Sequence, residues 1–214
     1  MLISLSGLKG SGKGTVSKIL QEKYGFVEYS FSTALKDIIS TLFSWDRELL
    51  EGNTNESRDW REQEDEYWSS KLGYKVTPRV IMTKIGTDLF RNNFNQDFWI
   101  YVIERKILDV IHNNNVVIER VSYLNECEFV KRLDGITVWV YREYQKWQNL
   151  ATELYFTKNE IIRDNLIRMF REMNIHDSEY SLCGYNFDYV IDNVSNLETL
   201  EKKVDILIKD YNCL

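Results

Sequence analysis

Met1-Leu-Ile-Ser-Leu-Ser-Gly7-Leu-Lys9-Gly10-Ser11-Gly12-Lys13-Gly14-Thr15 sets a short apolar run directly before a glycine-rich segment that ends in a lysine. The run predicts a buried strand over Leu2–Leu5, and the residues from about Gly14 to Glu22 predict a helix with Val16, Ile19 and Leu20 on one face. Gly7, Gly12 and Lys13 stand at phosphate-loop spacing. Glycines let the backbone wrap closely around a polyphosphate with its N–H groups turned inward. The helix adds the positive end of its dipole and Lys13 a full charge. Gly7, Lys9, Gly10, Ser11, Gly12, Lys13, Gly14 and Thr15 are the expected polyphosphate-binding residues. A dinucleotide site is the natural competitor, with Glu28 placed for a ribose hydroxyl. Lys13 argues against it, because a lysine there would crowd a pyrophosphate set against bare backbone.

Strand and helix patterns alternate along the 214 residues. Phe26–Phe31, Val116–Ile118, Ile136–Tyr141 and Phe187–Ile191 read as strands, and the apolar runs suit a parallel sheet covered on both faces. Helices are expected after Ser32, over Arg79–Phe90, over Trp99–Ile111, over Leu124–Arg132 and along the Ile161–Met173 stripe. The last one is capped by a Ser195-x-x-Glu198 box. The expectation is one α/β phosphate-loop domain, a three-layer sandwich with core segments of about 1–50, 79–142 and 186–214. Residues 51–78 read as an acceptor-side insertion and 143–185 as a lid. The charged stretch Glu51–Glu66 has no clean apolar period apart from Trp60.

Net charge of −6 argues against tight binding to duplex nucleic acid, which needs a basic surface. Cys127, Cys183 and Cys213 are odd in number, lack metal-ligand spacing and read as free thiols in a reducing compartment. The start of the chain lacks the pattern of a signal peptide, and no stretch approaches the length of a membrane span. The expected location is the cytoplasm, that of a host cell if the source is viral.

Beyond the loop, Leu50-Glu51-Gly52, Ser57-Arg58-x-x-Arg61-Glu62, Thr77-Pro78-Arg79, Gly86-Thr87-Asp88 with Arg91, Asn125-Glu126 and Asp192-Asn193 occur in this order. Together they resemble the deoxynucleoside monophosphate kinases of large DNA viruses and phages, across most of the chain and least from Glu143 to Tyr180. The resemblance implies transfer of the γ-phosphoryl of ATP to a deoxynucleoside 5′-monophosphate with magnesium, nucleotides as the small-molecule partners, and a homodimer. It implies that Lys13 holds the donor phosphates and that Thr15 meets the phosphates or the metal. Arg79 is the leading acceptor-phosphate residue, followed by Lys36 and Arg61, with Thr83, Thr87, Asp88 and Arg91 on the acceptor side. Arg142 lies where a strand hands over to the lid. On an unbroken α-helix Arg79 and Arg91 would stand roughly 18 Å apart, too far to grip one phosphate.

Two departures from the family pattern bear on chemistry. The family's strand ends in Asp-x-Arg, and alignment on Asn125-Glu126 puts Arg120 and Ser122 at those places. A cation cannot organise magnesium. Glu119, one residue earlier, substitutes only if the strand end shifts, which turns its side chain to the other face. Thr83 stands where the family tends to have a glutamine that reads a base edge. The alternatives are a kinase for another acceptor, such as a modified nucleotide or a hydroxylated base in DNA, and a catalytically weakened nucleotide-binding regulatory protein.

Overall fold

The computed structural model describes residues 1–142, 146–173 and 175–212. Its strands are β1 (Leu2–Ser6), β2 (Val27–Tyr29), β3 (Val116–Glu119), β4 (Ile136–Tyr141) and β5 (Tyr189–Asp192). Its α-helices are α1 (Lys13–Tyr24), α2 (Thr33–Phe43), α3 (Asn55–Trp60), α4 (Glu66–Leu72), α5 (Pro78–Thr83), α6 (Phe98–Ile107), α7 (Leu124–Arg132), α8 (Lys146–Phe156), α9 (Glu160–Glu172) and α10 (Leu197–Asn212). The chain divides into two compact units, one of residues 1–30 with 107–214 and one of residues 31–106.

The larger unit is built on a parallel sheet in the order β2-β3-β1-β4-β5. All five residues of β1 are buried, as an apolar central strand covered on both faces requires. On one face Ile3, Leu5, Val117, Val138 and Ile191 pack with Val16, Ile19 and Leu20 of α1 and with Leu200, Val204 and Leu207 of α10. Helix α7 contributes buried Cys127, Phe129 and Val130, and Trp139 of β4 stacks on Tyr155 of α8 with ring centroids 4.9 Å apart. The result is an α/β phosphate-loop sandwich. The chain leaves β1 toward one edge of the sheet and β4 toward the other, so the carboxyl ends of these neighbours frame the crevice where such sheets bind ligands.

Several local expectations change. Helix α10 is capped by Asn196, whose Oδ1 accepts from the Thr199 amide at 3.0 Å, and not by Ser195. Asparagine is at least as good a cap as serine and sits directly before the first helical residue. Helix α8, which starts at Lys146, falls in the stretch read as a lid. Cys127 and Cys183 are buried free thiols, whereas Cys213 lies outside the described residues. Burial pushes both described thiols up to about 12, so they are inert at neutral pH.

In the smaller unit, Leu35, Ile39, Leu50, Val76, Ile81, Trp99 and Ile100 are buried. The charged stretch after Glu51 holds α3, started by a Thr54–Ser57 capping box. Asp65 caps α4. The helix opened by Thr77 and Pro78 runs on past Thr83 as a π-helix over Lys84–Phe94. The 18 Å separation of an unbroken α-helix therefore does not apply between Arg79 and Arg91. The indole N–H of Trp99 donates to the Gly86 carbonyl at 2.9 Å inside this segment. A Cβ on Gly86 would lie 2.5 Å from Leu35 Cδ2, so the glycine of Gly86-Thr87-Asp88 lets α2 approach the π-helix. Among the described residues no helix is long and apolar enough to cross a membrane.

Candidate phosphoryl-transfer site

The loop between β1 and α1 is held from two sides. A Cβ on Gly7, at φ +141, would lie 2.0 Å from the Val140 carbonyl oxygen of β4, so only glycine lets the chain leave β1 there. On the other side Asn193, buried just after β5, donates from Nδ2 to the Ser11 carbonyl at 2.9 Å. Its own amide donates to the Tyr141 carbonyl at 2.8 Å. A Cβ on Gly12 would lie 2.2 Å from that same Nδ2. Asp192-Asn193 was legible as a motif, but the clamp it forms depends on β4 and β5 being neighbours.

Lys13 folds over the loop it ends, donating from Nζ to the carbonyls of Gly7 at 2.8 Å and Leu8 at 2.9 Å. Burial pulls its ammonium down to about 8, against the opposing pull of the Glu179 and Glu119 carboxylates. Glu179 belongs to a short 3-10 turn, Asp177–Glu179, between α9 and β5. Lys9, Gly10, Gly14 and Thr15 are exposed around the loop crest.

Glu119 stands one residue before the place of the missing aspartate. It is the last residue of β3, aligned with Leu5 of β1, and it shares the face of Val117 that packs toward α1. It is buried, and its Oε1 lies 3.3 Å from where a Cβ on Gly14 would stand. Strand β3 ends at this residue. Arg120 follows with φ +64, pairs its Nε with Glu119 Oε2 at 3.1 Å, and the Val121 amide then returns to the Leu5 carbonyl at 3.1 Å. The buried carboxylate of Glu126 accepts from the Ser122 amide at 2.8 Å and the Tyr123 amide at 3.2 Å, fixing the loop that leaves Arg120. Arg142 is exposed at the end of β4.

The expected acceptor residues lie in the smaller unit. Lys36 is 2% exposed and pairs with Glu51 Oε2 at 2.5 Å, and Glu51 also takes Arg47. These two cations hold the Glu51 carboxyl below its usual range although burial opposes them. Arg61 is buried with its guanidinium on Gly52, where a Cβ would come within 2.2 Å. The Arg61 carbonyl accepts from the Arg79 amide at 2.9 Å, so these two positions adjoin. The Arg79 side chain is about one-third exposed and pairs with exposed Glu62 at 3.1 Å. Thr83 and Thr87 are half-buried, Asp88 is exposed and Arg91 is buried along the α5 and π-helical run.

The family model for deoxynucleotide monophosphate kinase matches residues 50–162. A protein of Acanthamoeba polyphaga mimivirus that bears the name of the same kinase is 30% identical over 152 residues, which span 66% of this chain and 74% of that one. The chain belongs to the deoxynucleotide monophosphate kinase family. It is a nucleotide-binding phosphotransferase whose substrates are small-molecule nucleotides. Among solved structures it is similar to shikimate kinase from Aquifex aeolicus, with 19% identity, coverage of 100% of this chain and 99% of that one, and a TM-score of 0.49. It is also similar to TT1252 from Thermus thermophilus, with 17% identity, coverage of 98% and 97%, and a TM-score of 0.48.

Proposed function

We propose that this kinase holds ATP on the loop from Gly7 to Thr15 and takes a deoxynucleoside 5′-monophosphate on the smaller unit. The observation that carries the donor half is the convergence of the Lys13 ammonium and the Glu119 carboxylate on the N-terminus of α1. In the transfer, an oxygen of the acceptor's 5′-phosphate forms a bond to the γ-phosphorus of ATP. The bond from that phosphorus to the β–γ bridging oxygen breaks, and the products are ADP and a deoxynucleoside diphosphate. This chemistry asks the protein for position and charge neutralisation more than for covalent participation.

A hard oxygen donor beside the phosphate loop fits magnesium, and Glu119 with Thr15 would hold it. When bound, the ion supplies neutralisation of the β- and γ-phosphate charge. Exchanging Glu119 for glutamine keeps the shape and removes the charge. Half-saturation in magnesium is expected to move up at least about tenfold, read by titrating the metal at fixed ATP. An unchanged midpoint would remove Glu119 from this role.

Lys13 gives a proton signature. Its ammonium is charged below about pH 8 and neutral above it. Bound triphosphate favours the charged form and raises the titration point, so ATP binding near pH 8 takes up a proton, and affinity falls as pH climbs past 8. Calorimetry in two buffers of different ionisation enthalpy is expected to show this uptake. Zero uptake at pH 8 would contradict it.

On the acceptor side Arg79 leads, because an exposed ion pair such as Arg79–Glu62 is worth at most about 1 kcal/mol and yields readily to a phosphate. Lys36 and Arg61 lie deeper and hold the segment after Glu51 together, and Thr83, Thr87, Asp88 and Arg91 are assigned to the acceptor side. We assign Arg142, exposed at the end of β4, to the transferring group. Trp60 packs against Trp45 and Trp99 against Phe90. A homodimer is tested by sedimentation and is not required by these assignments. Binding of ATP and of each deoxynucleotide, measured separately, tests the division of labour. Lys13→Met should lose ATP and keep the acceptor, and Arg79→Gln the reverse. Loss of both ligands in both variants would contradict it.

A further inference from the structure

We infer that Arg120 is a catalytic residue of this enzyme, a cation fixed at the end of β3 that contacts the phosphoryl group in transfer. The inference rests on the kinase reading above and adds a residue to its machinery.

The first observation is conformational. Arg120 has φ +64, a left-handed position where a long side chain is disfavoured and where glycine or asparagine would sit more easily. Such outliers persist where the surroundings enforce them and gather at functional sites. Here both sides enforce it. Before Arg120, Glu119 is locked in the ladder opposite Leu5. After it, the Val121 amide returns to the Leu5 carbonyl, and Glu126 ties down the amides of Ser122 and Tyr123.

The second observation is place. The turn occurs at the carboxyl edge of the strand beside β1, where the phosphate loop begins. The guanidinium pairs with one oxygen of Glu119, whose other oxygen lies against Gly14. Arg120 is also close enough to Lys13 to oppose that lysine's charge. Two cations, Lys13 and Arg120, and two carboxylates, Glu119 and Glu179, thus act together at the loop. A triphosphate placed between the two cations would be attracted to both. Arginine suits such a role, since its planar donors can bridge two phosphoryl oxygens.

The competing account makes Arg120 only a support for Glu119, and the two differ in magnesium response. Arg120→Gly and Arg120→Asn relieve the backbone strain, so both are expected to melt at or above the temperature of the unmodified protein. Both are expected to lower kcat by about 10²-fold or more, with KM for ATP changed only a few-fold and with no recovery at high magnesium. Arg120→Lys should recover part of the loss. An unchanged kcat in the glycine and asparagine variants, or a loss restored by excess magnesium, would overturn the inference. Absence of transfer by the unmodified protein would instead overturn the kinase reading beneath it.

Discussion

Lys13→Met lowers kcat/KM for transfer by roughly 10³-fold or more, an expectation scaled from the loss of a single preorganised donor at a site of developing charge. That corresponds to about 4 kcal/mol of transition-state stabilisation. The expected effect on folding is small, and the contrast is the informative part. In the structure Lys13 spends its charge on two loop carbonyls, Gly7 and Leu8, and burial disfavours that charge enough to pull the ammonium down to about 8. Methionine retains most of the packing and removes a charge that the fold holds at a cost. The melting temperature should therefore stay within a few degrees of the original. Arginine should not restore activity, because its planar fork does not reproduce a compact point charge. Steady-state kinetics beside a thermal melt reads both quantities. A variant that loses activity and stability together would show that Lys13 acts through the fold.

Gly7→Ala carries the largest expected effect on stability. The added methyl would lie 2.0 Å from a backbone oxygen, that of Val140, on the strand next to β1. Neither partner can turn aside as a flexible side chain could. The φ of +141 adds a backbone penalty for any residue with a Cβ. Left-handed strain and overpacking together suggest about 2–5 kcal/mol, or a fall of ~5–15 °C in melting temperature for a chain of this size. Gly25→Ala is the control. Gly25 ends α1 at φ +67 with nothing within 4 Å of its would-be Cβ, so only the backbone penalty of about 1 kcal/mol applies. If the two variants melt together, the close approach of β4 to the loop is wrong.

What the sequence made legible was local. The phosphate loop, Leu124–Arg132 and Ile136–Tyr141 follow from spacing and apolar runs, and the structure places helix α7 and strand β4 there. The N-cap of α10 was misplaced by one residue because Ser195 and Asn196 are both good caps and only geometry chooses. The π-helix has no such signature. The residues that meet it at Gly86, Leu35 and Trp99, are far from Gly86 in sequence. Glu119 was a candidate whose placement needed the ladder register, since alternation puts it on the α1 side with Val117. The left-handed turn at Arg120 gave no sign, because turns of that hand are read from glycine and asparagine. Lys36 and Arg61 stood out as cations, but their burial depends on Glu51 and Gly52, and that pairing is tertiary.

The measurement that tests the central claim most directly mixes the protein with ATP and magnesium and follows ADP and deoxynucleoside diphosphate together. It is run with each common deoxynucleoside monophosphate, with the ribose counterparts, and with no acceptor. The expected result is ADP formed one-for-one with a deoxynucleoside diphosphate, only when an acceptor is present, and lowered at least about 10³-fold in Lys13→Met. ADP release at the same rate without acceptor, or intact ATP binding with no diphosphate from any deoxynucleotide, would contradict the account.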